Sequence, residues 1–385
     1  MNLVLCTPTG KASEILSSKT NIVSHTIHSL IYNIQEEKDK VVCIRKEIKY
    51  ENQPVFIIDE ASMVGAMLDN GNVDFKTNAP LIDDLFTFMR LSHQQYKVIF
   101  VGDRFQLPPV NEKISVALNS EMVQKRFGVL ATTANLTEIK RFDSDNLIFK
   151  KSSQCRYAID NGASINATAD LYKFANRSKM YERFAYNFDI QKIDKIALIT
   201  STNKAANMHN REIRNRLFAN ANEGVQVGDL LMLTNTNYNK GNSLYNGQLG
   251  KVLALDSKIE EVAGLKFKYA KIEFNSNTTL VKTVYKPIIL NLLNRDDVGL
   301  NISERKALTH HAFVNNKEFR ESGIKSDDVF LSALQMRYAY AVTCHKAQGG
   351  EWENIVIDPY VAYADARMQY TAITRARKHV ASYHC

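Results

Sequence analysis

Val55-Phe56-Ile57-Ile58-Asp59-Glu60-Ala61-Ser62 is the stretch that decides the fold, because four apolar residues run directly into two acids. An apolar run this short predicts a strand that is buried on both faces, as in a parallel sheet. Acids at the carboxyl end of such a strand lie where open α/β sheets bind ligands. Asp59 is suited to hold Mg²⁺ through its waters, and Glu60 is suited to activate a water for attack on a phosphoryl group. A strand that ends in a solvated acid pair is the alternative interpretation.

The composition is that of an ordinary globular protein with a basic balance. The 385 residues are 45% hydrophobic and 23% charged, which predicts roughly two or three domains. No apolar run approaches the length of a membrane span, and residues 1–10 lack the pattern of a signal peptide. The five cysteines are scattered, so we expect no disulfide framework, no zinc site and a cytoplasmic location. The net charge of +8 is a mild indication of a polyanionic partner.

A second predicted strand ends in an unusual loop. Residues 97–101, KVIFV, predict another buried strand, and GDRFQLPPV follows at 102–110. Two consecutive prolines fix φ and stiffen the loop, so Gln106 is held at a constant place beside the strand end. From there Gln106 is suited to sense whether a γ-phosphate is present.

The middle of the chain changes from α/β to β character. Residues 195–201, KIALITS, predict a third buried strand. Short alternating strands then fill residues 224–290, where Asn246-Gly247 is a strong hairpin signal. We interpret this region as a small β-barrel-like insertion with a polar extension at 291–330. The charge-rich residues 33–54 predict a separate surface hairpin.

Seven motifs occur in one order along the chain. They are CTPTGKA (6–12), TIHSLI (26–31), FIIDEASM (56–63), GDRFQLPPV (102–110), LTEIKRF (136–142), TCHKAQGGEW (343–352) and QYTAITRAR (369–377). This set resembles the motor core of superfamily-one DNA helicases, in the RecD-like and Dda-like branch, over nearly the whole chain. The resemblance implies an α/β fold with two RecA-like parallel-sheet domains of the P-loop NTPase type. It also implies ATP-dependent movement along single-stranded DNA, 5′ to 3′, with unwinding of duplex DNA.

The resemblance also implies domain boundaries. The first RecA-like domain covers residues 1–143, is incomplete at its N-terminal side and carries the hairpin at 33–54. A helical connection and the start of the second RecA-like domain cover 144–223. An SH3-like β insertion with its extension covers 224–330, and residues 331–385 complete the second domain.

By the same resemblance, a set of residues serves ATP and Mg²⁺. Asp59 resembles the ligand of the Mg²⁺ waters, Glu60 the general base and Gln106 the γ-phosphate sensor. Arg141 and Arg375 resemble arginine fingers offered from the second domain, where cations stabilise the charge of the transferred phosphoryl group. The nucleotide-contacting positions implied in the second domain are Gln348, Gly349 and Glu351.

A further set resembles the family's contacts to the DNA backbone, through hydroxyls, amides and single cations that read no sequence. Its members are Thr7, Pro8, Thr9, Thr26, His28, Thr343, His345 and Lys346. The implied partner is single-stranded DNA or a junction of single- and double-stranded DNA. A replication or recombination complex is a further implied partner, and no membrane is expected.

The chain departs from the family in lacking its phosphate-gripping loop. That P-loop requires GxxxxGK[ST], and Gly10-Lys11 fails the pattern because position 5 is Leu and position 12 is Ala. The family's P-loop precedes CTPTGKA, and its loss is expected to leave unpaired edges inside the sheet. Two hypotheses follow. The chain is a truncated or split helicase whose P-loop unit is supplied elsewhere, for example by a separate chain, or it is a non-hydrolysing relic that binds single-stranded nucleic acid or a protein.

Overall fold

The computed structural model describes residues 2–37, 40–68, 75–77, 79–138, 143, 145–237, 244–274, 282–297 and 299–384. The chain forms two compact units. The first unit comprises Met1–Thr137, Ser276–Leu280 and Asn301–Ser332, and the second comprises Glu138–Asn275, Val281–Leu300 and Ala333–Cys385. Across the described residues, no helix is long and apolar enough to cross a membrane.

Strands and helices alternate along much of the chain. The strands are β1 (Asn2–Thr7), β2 (Ser24–Thr26), β3 (Tyr32–Glu37), β4 (Lys40–Arg45), β5 (Pro54–Ile58), β6 (Phe75–Lys76), β7 (Lys97–Phe100), β8 (Tyr172–Phe174), β9 (Ile196–Thr200), β10 (Leu230–Leu233), β11 (Leu249–Val262), β12 (Leu265–Phe274), β13 (Lys282–Ile289), β14 (Met336–Tyr338), β15 (Ala341–Thr343), β16 (Trp352–Ile357) and β17 (Ala376–Tyr383). The helices are α1 (Gly10–Thr20), α2 (Ile27–Ile31), α3 (Leu81–Ser92), α4 (Ser120–Phe127), α5 (Leu147–Asn161), α6 (Arg177–Asn187), α7 (Asn203–Leu217), α8 (Ile302–Asn315), α9 (Lys317–Ser322), α10 (Cys344–Ala347) and α11 (Ala366–Ile373).

A parallel sheet organises the first unit. Its strands lie in the order β2-β1-β5-β7, and every neighbouring pair is parallel. β1 and β5 keep one register from Asn2↔Pro54 to Cys6↔Ile58. β3 pairs antiparallel with β4, which also pairs with β6. The carboxyl ends of the parallel strands therefore meet at one edge of the sheet.

Threonine caps begin the helices directly after two of these strands. The Thr9 side chain accepts a hydrogen bond from the main-chain N–H of Ala12 and begins α1, at 3.3 Å. The Thr26 side chain accepts from the N–H of Ser29 and begins α2, at 3.1 Å. A side-chain oxygen at this position satisfies an N–H that has no partner within the helix. The polar residues between strand and helix are thereby held at the sheet edge.

The core of the first unit lies on one face of this sheet. Val4, Cys6, Phe56 and Ile58 are buried together with apolar residues of α2 and α3. Side chains of a strand alternate between the two faces, so the intervening residues point away from this core.

The opposite face of the sheet is only partly covered by the described residues. Leu3, Ile99 and Val101 are 43%, 49% and 43% exposed, and Ile57 pairs with Ile99 in register. β7 is the last strand of this sheet, and no described strand pairs with its outer side. The predicted strand at residues 97–101 is present as β7, and Val98 and Phe100 pack against the core. The prediction that this strand is buried is wrong for the face that carries Ile99 and Val101. An apolar run reports the character of the side chains, not which element covers them.

The second unit contains one parallel and one antiparallel sheet. The parallel sheet has the order β15-β9-β16-β17-β8, and the antiparallel sheet has the order β13-β12-β11-β10-β14. β11 and β12 form a long hairpin that turns at Ala263 and Gly264, both with positive φ. The predicted α/β class, with a parallel sheet in each unit and a β-rich segment in the second, is confirmed.

A buried ion pair joins α7 to the antiparallel sheet. Arg214 Nε lies 2.8 Å from Asp229 Oδ1 and Arg214 Nη2 lies 2.9 Å from Oδ2, with side chains that are 4% and 0% exposed. The Tyr340 hydroxyl also donates to Asp229, at 2.8 Å, and the Arg214 guanidinium stacks over the Tyr338 ring at 3.9 Å. The carboxylate is thus fully satisfied, and its removal leaves a buried cation without a counter-charge.

We expect Asp229→Asn to lower the free energy of unfolding by about 3–5 kcal/mol, because breaking a buried pair strands the other charge. Urea unfolding at neutral pH measures the change. Glu182→Gln is the matched control, since it breaks the exposed Lys179–Glu182 pair and is expected to cost about 0.5 kcal/mol or less. Equal losses of stability in Asp229→Asn and Glu182→Gln would contradict the prediction that the buried ion pair matters more than the exposed one.

Candidate functional site

Main-chain hydrogen bonds fix the turn that carries the two acids of the first unit. We call Asp59–Ser62, directly after β5, the acid turn. The Asp59 N–H donates to Cys6 O at 3.0 Å, and the Ala61 N–H donates to Val101 O at 2.8 Å. The turn is therefore tied to the strands on both sides, and the acids stand at the carboxyl edge that the sequence predicts.

Glu60 occupies a backbone conformation that is unusual for its residue type. Its φ is 53° and its ψ is 36°, in the left-handed region, and its N–H donates to Asp59 Oδ1 at 2.9 Å. A residue with a Cβ pays about 1–2 kcal/mol for this conformation. Strained residues of this kind cluster at active sites, so the geometry motivates a functional role for Glu60.

The backbone of Gly102 packs closely against the main chain of the acid turn. A Cβ atom at this position would lie 3.1 Å from the main-chain nitrogens of both Ala61 and Ser62. Main-chain atoms cannot move aside as a flexible side chain can. Any larger residue at position 102 therefore requires the acid turn to shift by a few tenths of an ångström.

The loop after β7 holds Gln106 with an unused acceptor. Asp103 folds the loop, since its side chain accepts from the Phe105 N–H at 2.9 Å and its carbonyl accepts from the Gln106 N–H at 3.1 Å. Gln106 Oε1 is buried and finds no hydrogen-bond partner among the described residues, and Ser62 Oγ is in the same situation. Buried polar atoms are normally paired, so each of these two atoms retains hydrogen-bonding capacity for a water or a ligand.

The donor set of the acid turn fits Mg²⁺. Among the described residues, no three His, Cys, Asp or Glu side chains converge into a metal cluster. Mg²⁺ needs no such cluster, because it keeps several waters and takes one or two carboxylates from the protein. Asp59 supplies one such carboxylate.

The predicted DNA-contacting residues of the first unit lie at the same sheet edge. Thr7 and Thr26 are partners in the register of β1 and β2. Thr7 is fully buried and donates to Thr9 O at 2.8 Å, whereas Thr9 and Thr26 cap helices. Pro8 lies in the turn between the first two threonines, and the His28 ring lies 5.9 Å from that of Tyr32.

The corresponding residues of the second unit surround the start of α10. Thr343 caps this helix by accepting from the Lys346 N–H at 3.4 Å. Lys346 Nζ donates to Asn246 Oδ1 at 2.8 Å, and burial together with Arg337 lowers the pKa of Lys346 to about 8. Burial also lowers the pKa of His345.

The predicted nucleotide-contacting residues of the second unit follow α10 and α11. Gln348 is buried, Gly349 has a φ of 70°, and Glu351 is exposed. Arg375 is 4% exposed and donates to Thr371 O at 3.1 Å, to Gly350 O at 3.3 Å and to the Thr374 hydroxyl at 3.2 Å. These acceptors are neutral, so the charge of Arg375 is not cancelled by them. Arg141, the other predicted arginine finger, lies outside the described residues.

Sequence reasoning missed a group of residues beside Lys346. Arg337 on β14 and Asn203 and Asn207 on α7 line a small cavity together with Lys346. The signal in the sequence was a lone arginine inside the apolar strand sequence MRYAYAV. A charged residue is rarely buried in a strand unless it has a structural or functional role.

Two stretches of the chain match known protein families. Residues 1–112 match the family described as AAA domain, and residues 338–381 match the UvrD-like helicase C-terminal domain. The first stretch contains the acid turn and Gln106, and the second contains α10, α11 and Arg375.

The chain is also similar to two uncharacterised proteins. It is 23% identical over 418 residues to protein MJ1519 of Methanocaldococcus jannaschii, covering 98% of this chain and 33% of that protein. It is 22% identical over 432 residues to protein R530 of Acanthamoeba polyphaga mimivirus, covering 93% of this chain and 83% of that protein. The chain thus spans about a third of the length of the first relative.

The fold is similar to that of the Pif1 helicase from Candida albicans. The TM-score is 0.54 at 16% identity, and the match covers 100% of this chain and 84% of that chain. At this identity the likeness shows the fold, and it confirms the predicted RecA-like class. Together with the two family matches, it confirms the predicted resemblance to superfamily-one helicases.

We expect Lys346→Met to raise the stability of the chain at pH 7, because the native state holds a half-buried ammonium group. The folded pKa of about 8 lies below the ordinary value of 10.5, so the unfolded chain binds the extra proton between these values. The stability of the native lysine therefore rises with pH across that window, and the advantage of Met declines there. Urea unfolding across a pH series measures this difference.

The exposed Lys258→Met is the control, because its side chain is 76% exposed and its substitution is expected to show no such pH dependence. A difference in the free energy of unfolding between Lys346→Met and the wild type that stays constant from pH 7 to pH 11 would contradict the prediction.

Proposed function

We propose that the chain is the motor part of an ATP-dependent DNA helicase. In this proposal it moves 5′ to 3′ along single-stranded DNA and unwinds duplex DNA. The observation that carries the proposal is the acid turn, which is tied to β1 and β7 and holds Glu60 in a strained conformation. The AAA-domain and UvrD-like helicase matches support the same function.

We assign the hydrolytic roles to the first unit as follows. Asp59 holds Mg²⁺ through its waters, and Glu60 accepts a proton from the attacking water. Gln106 responds to the γ-phosphate by donating a hydrogen bond from its side-chain NH₂ group. Its side-chain oxygen, which has no hydrogen-bond partner among the described residues, accepts from a water there. When bound, Mg²⁺ neutralises charge on the phosphates of ATP.

We assign the remaining nucleotide contacts to cationic and polar residues of the second unit. Arg141 and Arg375 stabilise the charge that develops on the transferred phosphoryl group. The neutral hydrogen-bond partners of Arg375 support this role, because they orient a guanidinium without neutralising it. Gln348, Gly349 and Glu351 contact the nucleotide away from its phosphates.

We further propose that a strand–loop–helix unit carrying a GxxxxGK[ST] loop completes the ATP site. The 385 residues contain no such loop, and β7 offers an open edge beside an exposed apolar face. An open edge of main-chain donors and acceptors is a template for another strand. A helix after that strand would cover Ile99 and Val101, and the loop between them would grip the phosphates near Glu60.

The alternative function is a relic that binds single-stranded nucleic acid or a protein without hydrolysis. The missing GxxxxGK[ST] pattern favours it. The acid turn favours the motor, because a strained Glu60 lowers stability without benefit in a protein that performs no chemistry.

We expect the 385-residue chain alone to hydrolyse ATP slowly, and the product of the complete surrounding reading frame to show robust ATPase activity stimulated by oligo(dT). Glu60→Gln should reduce the stimulated rate by about 100-fold or more, because it removes the proton acceptor. A coupled phosphate-release assay measures these rates. The exposed Glu121→Gln on α4 makes the same charge change and should leave the rate unaltered.

In the same preparations, a duplex with a 5′ single-stranded tail should be unwound and one with a 3′ tail should not. Robust DNA-stimulated hydrolysis by the 385-residue chain, abolished by Glu60→Gln, would contradict the need for an added unit. DNA binding without hydrolysis by the complete product would favour the relic.

We expect Ile99→Lys to reduce concentration-dependent association of the isolated chain, because a lysine on an edge strand blocks edge-to-edge pairing. Light scattering after size exclusion measures the association. Val227→Lys is the control, since Val227 is 55% exposed and lies in the second unit. Unchanged association in Ile99→Lys would show that the β7 edge is not a pairing surface.

A further inference from the structure

The segment that follows β7 is attached to the acid turn at its first end. We call this segment, residues 102–115, the Gln106 loop. Directly before it, Val101 O accepts from the Ala61 N–H at 2.8 Å, and Gly102 packs closely against the acid turn. Main-chain atoms form both contacts, so the start of the loop and the acid turn are held together.

The Gln106 loop reverses its direction after the two prolines. The Glu112 N–H donates to Pro109 O at 3.0 Å, and Asn111 between them has a φ of 67°. Asparagine adopts this left-handed conformation at a lower cost than most residues that carry a side chain. The reversal brings the half-buried Glu112 back to the segment that leaves the acid turn.

The Glu112 carboxylate binds two main-chain N–H groups of that segment. Its Oε1 atom accepts from the Ala66 N–H at 2.7 Å and from the Met67 N–H at 3.1 Å. Hydrogen bonds to an ionised acceptor are roughly twice as strong as those between neutral groups. The Ser115 hydroxyl adds a third bond, because it donates to Ala61 O at 3.1 Å. Both ends of the Gln106 loop are therefore attached to the segment that carries Glu60.

A single turn of 3-10 helix, Ala61–Met63, joins Glu60 to the residues that Glu112 holds. The Met63 N–H donates to Glu60 O at 3.0 Å, so the turn begins at the residue with the left-handed conformation. Such a conformation persists in a residue with a side chain only when the surrounding structure fixes it. The attachment by Glu112 supplies part of that support.

Arg126 holds the same segment from its carbonyl side. Its Nη2 atom donates to Ala66 O at 3.2 Å, and its guanidinium forms two hydrogen bonds with Asp83, at 2.7 and 2.6 Å. The hydrogen bonds with Asp83, and to a smaller extent the charge of Glu112, raise the pKa of Arg126. The peptide groups at Ala66 are thus held by an acid through their N–H and by a base through their carbonyl.

We propose that Glu112 is a positioning residue that couples Gln106 to Glu60. When Gln106 responds to the γ-phosphate, the Gln106 loop passes the displacement through the Glu112 carboxylate to the main chain that follows Glu60. Glu60 then reaches the position from which it accepts a proton. The inference rests on the proposed function and concerns the regulation of the same hydrolytic site.

The test measures oligo(dT)-stimulated ATP hydrolysis by the product of the complete surrounding reading frame. Glu112→Ala should lower kcat by about tenfold, because two hydrogen bonds to a charged group are lost. The KM for ATP should stay within about twofold of the wild-type value, because an interaction that acts only on the reaction step changes kcat alone. Glu112→Gln keeps an acceptor oxygen and should bring kcat to within about threefold of the wild type.

A double-mutant cycle with Gln106→Ala separates coupling from a general loss of structure. If Glu112 acts through Gln106, Glu112→Ala should lower kcat by less than about twofold when Gln106 is already alanine. Equal losses in both backgrounds, or an undiminished kcat in folded Glu112→Ala, overturn the inference and leave the proposed function standing. A complete wild-type product without DNA-stimulated hydrolysis overturns the proposed function itself, and the coupling with it.

Glu121→Ala is the matched control, because it makes the same substitution at an exposed position of α4 and should leave kcat and KM unaltered. Thermal unfolding of each variant separates lost activity from lost folding. If Glu112→Ala is unfolded, Ser115→Ala serves as the second variant. It removes a neutral hydrogen bond and should lower kcat by about threefold, again only when Gln106 is present.

Hydrogen exchange of the 385-residue chain tests the attachment without any hydrolysis. In Glu112→Ala the N–H groups of Ala66 and Met67 should exchange about tenfold faster than in the wild type. The Met63 N–H, which donates to Glu60 O, should also exchange faster. Exchange at Met63 that is equal in the variant and the wild type overturns the inference, because the carboxylate then does not hold the acid turn.

Discussion

The parallel pairing of β1, β5 and β7 is the constraint on which the first unit depends. Parallel strands bring their carboxyl ends to one edge, so residues that are distant in sequence become neighbours there. The hydrogen bonds from Asp59 to Cys6 and from Ala61 to Val101 carry that order one step beyond the strands, into the acid turn. The chemistry assigned to Asp59 and Glu60 therefore depends on main-chain geometry. The absence of a side chain at Gly102 lets the acid turn keep that geometry.

Buried charges play two different parts in the second unit. Arg214 and Asp229 neutralise each other completely and hold α7 against the antiparallel sheet. Arg337 and Lys346 have only neutral hydrogen-bond partners among the described residues, and burial lowers the pKa of both side chains. β14 links the two arrangements, because the Tyr338 ring covers Arg214 and the preceding residue is Arg337. The contact of Arg214 with Asp229 and Tyr338 thus lies beside the residue of β14 that carries the Arg337 charge.

Much of this architecture follows from the sequence, and the exceptions have physical reasons. The apolar runs that end in acids or in GD predict parallel strands and place Asp59, Glu60 and Gln106 at one edge, as found. The exposed face of β7 is not predictable, because an apolar run does not specify its covering element. Arg337 was missed because its significance arises from α7 and from residues near 295, which are far away in sequence. The left-handed conformation of Glu60 has no signature in the residues around it.

That conformation has a consequence for how the protein would change under selection. Glycine and asparagine adopt left-handed backbone angles more easily than glutamate does, so either residue at position 60 relieves the strain there. A population selected only for thermal tolerance should therefore lose its glutamate at this position early, and lose the proton acceptor with it. If glutamate persists at position 60 under such selection, catalysis still requires it, whatever the stability of the rest of the fold.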